Sequence, residues 1–226
     1  MTTAVSGQPI TSAGWNAIVN DVNYLSGQVT AAYDGKIGTI NVQKFTSAGT
    51  FTYTPSANLL YAVVEVWGGG GSGASGITGQ PAGAGGGGGY ARKVLTAAAI
   101  GASQTVTIAA ASTAIAANIN VGGNPGGTCS FGSLVSATGG GGCHIDNSSA
   151  PGGIGSGGDL NLQGGFGIEI EGPYWSQGGA GAAGGAGGTI NGAAAGQPGG
   201  GGGGGYNTQP SVAGALGMVL VTEFCK

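Results

Sequence analysis

The stretch that decides the fold is LLYAVVEVW at residues 59–67, followed at once by GGGG at residues 68–71. The first part is apolar on both faces of an extended strand except at Glu65, which predicts a central strand of a β-sheet. The second part offers only backbone for packing, because glycine has no side chain. The sequence therefore predicts a β-domain combined with segments that are held by their main chain.

Further strands are predicted on both sides of this stretch. Alternating patterns indicate strands at residues 42–46 and 51–53, separated by a turn at residues 47–49. Weaker strand candidates lie at residues 90–96, 104–109, 115–121, 130–137 and 217–224. We expect the last of these to pair with residues 59–67 and to close the sheet.

Composition excludes several classes of protein. Glycine accounts for 56 of 226 residues, whereas only 6% of residues are charged, compared with about 25% in an average domain. A hydrophobic content of 40% argues against a disordered linker. A net charge of −3 with five basic residues argues against nucleic-acid binding. The sequence has no stretch of about 20 apolar residues, which argues against membrane insertion. It has neither a basic start nor a following apolar segment, which argues against a secretory signal.

Several of the glycine tracts carry a period of three residues. They occupy residues 68–89, 122–127, 139–142, 152–158 and 178–205. Three residues per turn is the period of the polyproline II helix, which places every third residue on the same edge. Glycine on that edge lets neighbouring rods exchange backbone hydrogen bonds. Collagen is excluded, because the run at residues 85–89 breaks its register and only eight prolines occur.

The first thirty residues have a different pattern. Apolar residues recur at intervals of three and four, the spacing of a coiled-coil seam. The seam consists of Trp15, Ile18, Val22, Leu25 and Val29. About two heptads do not form a stable coiled coil alone, so the helix either joins copies in a trimer or packs on its own domain. We predict a mainly β fold, a β-sandwich-like domain with packed glycine-rich polyproline II rods at residues 39–226, preceded by a helical trimeric neck at residues 1–38.

Chemistry-bearing side chains are few. Cys129, Cys143 and Cys225 form an odd set without CxxC spacing, which predicts reduced thiols and leaves a bridge between Cys129 and Cys143 open. His144 and Asp146 follow Cys143 and could in principle join it and Cys129 as four metal ligands, but the spacing does not match a zinc module.

The sequence also lacks the marks of an enzyme. The GxGxxG match at residues 71–76 lacks a following helix and a downstream acid. No carboxylate pair or nucleophile with a base is identifiable around the single histidine. We therefore expect no catalysis, no cofactor and no bound metal.

Two segments interrupt the glycine background with large or polar side chains, residues 144–149 and 166–177. Aromatic faces stack on sugars, and acids and amides bond to hydroxyls. The candidate binding residues are Asp146, Asn147, Glu169, Glu171, Tyr174 and Trp175. The alternative is that Ile168 and Ile170 form a core strand capped by Tyr174 and Trp175.

The order of these motifs resembles the glycine-rich domain of bacteriophage tail-fibre proteins over about residues 39–226. The motifs are VQKFTSAGTFT at residues 42–52, VVEVWGGGG at 63–71, GGGGGYARK at 85–93, SFGS at 130–133 and GGGG at 139–142. The opening GQPITSAGWN at residues 7–16 is similar to the neck segment of virion proteins.

This resemblance implies a homotrimeric virion structural protein, a tail-fibre tip or short fibre. Such a protein is assembled in the host cytoplasm and exposed on the phage particle. It attaches to another virion protein through its N-terminal segment and binds a host surface glycan or outer-membrane protein. The alternatives are a capsid decoration or head-fibre protein, and a polyproline II ice-binding protein.

Overall fold

A computed structural model describes residues 20, 22–23, 37–75, 82–144, 149–169, 176–190, 192–206 and 209–226. Residues 20, 22 and 23 are helical, and the rest of the predicted neck helix lies outside the described residues. In the described parts of the chain, no helix has the length and apolar character needed to cross a membrane.

Strands dominate the regular structure, which confirms the predicted mainly β class. The longer strands are β1 (Thr39–Phe45), β2 (Gly49–Tyr53), β3 (Leu59–Trp67), β4 (Tyr90–Thr96), β5 (Gln104–Ile108) and β12 (Met218–Cys225). The short ones are β6 (Cys129–Phe131), β7 (Val135–Ala137), β8 (Gly155–Ser156), β9 (Leu160–Leu162), β10 (Ile168–Glu169) and β11 (Ser176–Gln177). A single turn of helix, α1 (Ala97–Ile100), follows β4 and is capped by the Thr96 side chain.

Two antiparallel sheets form a sandwich. One sheet has the order β1-β12-β3-β4-β9 and the other has the order β2-β5-β6-β7-β8. The predicted pairing of β3 with β12 is confirmed, with Val64 opposite Val221 in the register. β3 lies in the middle of its sheet, as its apolar faces predicted.

The core lies between the sheets. Val64, Val66 and Val221 from the first sheet are fully buried against aromatic and aliphatic side chains of the second. The rings of Tyr53 and Phe131 meet there with their centroids 5.1 Å apart. Buried aromatic pairs of this kind stabilise a fold by about 0.5–1.5 kcal/mol more than the burial of their apolar area alone would.

Two strand predictions need correction. The predicted turn at residues 47–49 does lie between β1 and β2, and these two strands belong to different sheets. Residues 130–137 form two strands, β6 and β7, with Gly132 at a φ of 54° between them. Residues 115–121 form no strand, since Asn118 and Asn120 adopt left-handed backbone angles of 57° and 48°, which interrupt an extended chain.

The glycine tracts form extended segments, which we call rods, that bond to one another through the backbone. They are residues 68–75, 82–89, 121–127, 138–143, 150–154, 164–167, 178–182, 184–189, 199–205 and 211–215.

The partners of the rod at residues 68–75 change with a period of three. Amides of residues 68, 71 and 74 donate to the rod 82–89, those of 69, 72 and 75 to the rod 121–127, and those of 70 and 73 to the rod 211–215. The distances are 2.8 to 3.2 Å. Each edge of a three-residue turn therefore has its own neighbour, as the polyproline II geometry requires.

The central rod, residues 82–89, has a neighbour on every side. Its amides donate to the rods 199–205, 138–143 and 164–167. Its carbonyls accept from the rods 68–75, 150–154 and 178–182. This explains the unbroken glycine run at residues 85–89, where an edge repeat alone would need only every third residue to be glycine. A Cβ at Gly85, Gly86 or Gly87 would overlap a carbonyl of a different rod in each case.

Candidate binding site

The rods have two ends with different surroundings. At one end they continue directly into the sandwich, as at the junctions of Trp67 with Gly68 and of Gly89 with Tyr90. At the opposite end, which we call the distal tip, the rods are joined by short connecting segments. The tip is therefore held at a fixed distance from the sheets by stiff backbone.

Hydrogen bonds between rod ends show that the residues flanking these connecting segments lie close together. The amide of Ala82 donates to the carbonyl of Gly205 at 3.1 Å, and the amide of Gly205 donates to the carbonyl of Ala74 at 2.9 Å. On the other side of the tip, the amide of Gly167 donates to the carbonyl of Ala150 at 2.9 Å. Neighbouring rod ends thus flank the connecting segments, which are residues 76–81, 145–148, 170–175 and 207–208.

A small apolar cluster forms the floor of the tip. It consists of Ala74, Ala82, Cys143 and Ala150, all buried. Each of them lies within two residues of a connecting segment. Only methyl groups and a thiol fit here, because the rods approach closely and a larger side chain would push them apart. The Cys143 thiol donates to the carbonyl of His144 at 3.2 Å.

A short hairpin carries the second candidate segment. In β10 and β11, Ile168 pairs with Gln177 and Glu169 pairs with Ser176. The buried Ser176 hydroxyl accepts a hydrogen bond from the Gly204 amide at 2.8 Å. This bond fixes the base of the hairpin to the rod at residues 199–205, so both ends of segment 170–175 are anchored at the tip.

The structure brings together the ends of the two predicted binding segments. Of the six candidate residues, only Glu169 lies within the described residues, in β10. The others, Asp146, Asn147, Glu171, Tyr174 and Trp175, lie outside the described residues, and their role stays a prediction. The segments that carry them nevertheless start and finish at the same end of the rods.

Two apolar residues inside the second predicted segment were not among the candidate binding residues. Phe166 and Ile168 are 53% and 51% exposed at the tip. The idea that Ile168 belongs to a core strand is wrong, because its side chain faces water. A large apolar residue flanked by glycine, as Phe166 is, was the available signal. Segments 76–81 and 207–208 were also missed, because their residues resemble ordinary turn sequence.

Charge is unevenly distributed along the chain. The candidate segments hold Asp146, Glu169 and Glu171 but no lysine or arginine. Arg92 and Lys93 lie in β4, at the opposite end of the rods. The acids of these segments and these two cations are thus in different parts of the sequence.

The cysteines and the neck seam give separate results. Cys129, Cys143 and Cys225 are all buried and none of the three forms a disulfide bond. Burial raises the pKa of the Cys129 thiol, so it stays protonated at neutral pH. Of the predicted seam, only Val22 is described, and its side chain is 58% exposed. Trp15, Ile18, Leu25 and Val29 lie outside the described residues.

Comparison with known protein families gives one match. A family model described as a glycine-rich domain matches residues 46–165, from the end of the first strand through the central rod to the rod after β9. No curated protein matches the chain.

Proposed function

This chain belongs to the glycine-rich domain family, and from that premise we propose that it is a host-binding structural protein of a bacteriophage particle, a tail-fibre tip or short fibre without catalytic activity. The convergence of the connecting segments at the distal tip carries the proposal. A surface is useful for recognition when its variable parts are held by a stiff support, because ordering on binding then costs less.

The rods provide that support without using side chains. Every amide of residues 85–89 donates to a carbonyl of another rod. Buried main-chain bonds resist local opening, since leaving a donor unpaired costs about 1–3 kcal/mol. Side chains are therefore free to vary at the tip without altering the packing beneath it.

The ligand we propose is a host surface glycan or an outer-membrane protein. Tyr174 and Trp175 offer flat rings for stacking on sugars, and Asp146, Asn147, Glu169 and Glu171 offer acceptors and an amide for hydroxyl groups. Exposed Phe166 and Ile168 extend this surface with apolar area. Acceptors close to aromatic faces are the combination that carbohydrate recognition uses.

The proposal also includes the assembly. Copies join as a homotrimer through the seam of Trp15, Ile18, Val22, Leu25 and Val29, and the N-terminal segment attaches to another virion protein. The spacing of these apolar residues at intervals of three and four supports this role, since it is the spacing of a coiled-coil seam.

Binding of the purified protein to host cells tests the function. The double variant Tyr174→Ala/Trp175→Ala should bind at least about tenfold more weakly, because loss of two aromatic contacts removes more than about 1.4 kcal/mol. The matched control is Leu160→Ala, an exposed apolar residue in β9 at the sandwich end. Unchanged cell binding by the double variant, with an unchanged unfolding temperature, would sink the proposed role of the tip.

A further inference from the structure

Two strands of the first sheet continue into the glycine rods without a change of register. Trp67 lies opposite Tyr90 in the β3–β4 ladder. Beyond this pair, the amides of residues 68, 71 and 74 donate in the same register to the carbonyls of residues 89, 86 and 83. β3 and β4 therefore form one long hairpin with the rods 68–75 and 82–89, and segment 76–81 connects its two halves at the distal tip.

The last strand of the chain is continuous with a rod in the same way. Met218 lies opposite Trp67 in the β3–β12 ladder. The amides of Gly70 and Gly73 donate in the same register to the carbonyls of Ala215 and Val212, which belong to the rod that precedes β12. Three lengths of chain thus pass between the tip and the first sheet without a break in their pairing.

β1 enters this sheet from the end that faces away from the tip. β3 runs towards the rods, β12 is antiparallel to β3, and β1 is antiparallel to β12. β1 therefore also runs towards the rods, and its first residue, Thr39, lies at the far end of the sandwich. The end of the chain lies there as well, since the amide of Gly38 donates to the carbonyl of Cys225 at 2.8 Å.

β1 is an edge strand that is paired with β12 over its whole length. Seven residue pairs join the two strands, from Thr39 opposite Cys225 to Phe45 opposite Val219. The hydrogen bonds of an antiparallel pair are perpendicular to the strands. A pull along the strands therefore loads all of these bonds at once, whereas a pull across the strands loads only the bond at the end.

Side chains on the inner side of β1 oppose sliding along β12. Nε2 of Gln43 donates to Oε1 of Glu223 at 3.2 Å. The ring of Phe45 packs against that of Phe51 with the centroids 5.7 Å apart. A slip of one residue would turn both β1 side chains to the opposite face of the sheet. Packing therefore resists sliding in addition to the backbone ladder.

We propose that the β1–β12 ladder is a force-bearing clamp, which transmits tension between the N-terminal segment and the distal tip. The choice of these two points rests on the proposed function, in which the N-terminal segment attaches to the virion and the tip holds the host cell. Tension between them acts along β1, β3 and β12, which is the direction in which the ladder is strongest. The same ladder opens at low force when its adjacent ends are pulled apart, because the residue pairs then break one after another.

Single-molecule pulling of the purified chain with optical tweezers tests the inference. Handles coupled to Ile37→Cys and Thr78→Cys load β1 lengthwise, and handles coupled to Ile37→Cys and Lys226→Cys peel β1 from β12. Ile37 and Lys226 are exposed. The native cysteines are buried, which confines the coupling to the introduced thiols.

The two pulling directions should differ in force. At the same loading rate, the first rupture should need at least about twofold more force in the lengthwise direction, because several bonds must break together. In both directions the first rupture should release only the segment that contains β1, since β1 has one neighbouring strand whereas β3 has two.

A matched pair of variants tests whether this ladder carries the force. Gln43→Ala should rupture roughly tenfold faster than the wild-type protein at constant lengthwise force, because it removes a hydrogen bond to a charged group. Gln163→Ala changes an exposed glutamine outside β1, β3 and β12 and should rupture at the wild-type rate. If Gln43→Ala does not fold, the comparison of the two pulling directions decides.

Three results would overturn the inference: equal rupture forces in the two directions, a first lengthwise rupture that releases β3 while β1 stays paired, or equal rupture rates of Gln43→Ala and Gln163→Ala. None of these measurements involves a receptor. Cell binding is judged separately by Tyr174→Ala/Trp175→Ala, which changes no residue of the ladder, so the clamp and the proposed role of the tip can fail independently.

Discussion

The Tyr53 hydroxyl donates to Oε1 of Glu223 at 2.6 Å inside the sandwich, and this bond joins β2 of one sheet to β12 of the other. Glu223 is fully buried. Its carboxylate also accepts from the Ser56 hydroxyl at 2.6 Å, the Ser56 amide at 3.0 Å and the Gln43 side chain at 3.2 Å. Hydrogen bonds from this many donors favour the charged form of a buried carboxylate.

Tyr53→Phe should lower the free energy of unfolding by about 1–3 kcal/mol, because it removes a buried hydrogen bond to a charged group and keeps the ring. Tyr61→Phe is the control, since that ring lies on the outer side of the sheet against Phe224 and should change stability by less than about 0.5 kcal/mol. Urea unfolding of both variants gives the comparison. Equal losses would mean that the Tyr53 bond is not a specific source of stability.

Stability should fall in acid through Glu223. Burial raises the pKa of this carboxyl, but hydrogen bonds from Ser56, Tyr53 and Gln43 outweigh burial and hold the pKa below its ordinary value. A lowered folded-state pKa contributes stability above the unfolded-state pKa of about 4.3, and this contribution is lost as the pH falls through the folded-state pKa. Glu223→Gln should therefore be less stable at pH 7 and lose less on acidification, measured by urea unfolding from pH 7 to pH 2. An acid loss as steep as that of the wild-type protein would contradict the assignment.

Adjacent glycines of one rod should differ sharply in their tolerance of a methyl group. A Cβ at Gly70 would overlap the carbonyl of Gly200, so Gly70→Ala should cost more than about 3 kcal/mol or prevent folding. A Cβ at Gly69 would lie 3.4 Å from the Gly127 nitrogen and 3.5 Å from the Ala215 oxygen, an ordinary contact. Gly69→Ala should be neutral or up to about 1 kcal/mol more stable, because alanine restricts the unfolded chain. Similar unfolding temperatures for the two variants would argue against close rod packing.

The central rod should exchange its amide hydrogens slowly. The amides of residues 85–88 donate to three different rods at 2.7 to 2.9 Å, so their exposure requires the bundle to open. Their exchange rates should lie within about tenfold of those in β3, and exposed residues 192–194 serve as the rapidly exchanging comparison. Hydrogen exchange followed by nuclear magnetic resonance measures both. Rapid exchange at residues 85–88 would mean that the rods are not a stable platform.

Sequence patterns predicted which strands and rods form better than they predicted which of them lie next to each other. The pairing of β3 with β12 was predictable, because both are long apolar runs and each needed a buried partner. The rods were predictable from the period of three. Their arrangement was not, because Gly85, Gly86 and Gly87 are chemically identical and yet face different rods.

The candidate site shows the same limit. The segments at residues 144–149 and 166–177 were predicted, because they interrupt the glycine background with chemistry. Their placement at one end of the bundle depends on how many times the rods reverse direction, which no side chain records. The exposure of Ile168 was likewise hidden, since an isoleucine next to alternating polar residues has the pattern of a half-buried strand.

The rods are hydrogen-bonded to each other up to their last residues, so the folding of the rods does not depend on the sequence of the segments that connect them. The ends of segment 76–81 are fixed by the bonds between residues 74 and 83 and between residues 75 and 121. Closing a longer loop between fixed ends costs only about 0.6 kcal/mol for each doubling of its length. The connecting segments at the tip can therefore be replaced or lengthened while the rods and the sheets beneath them stay the same.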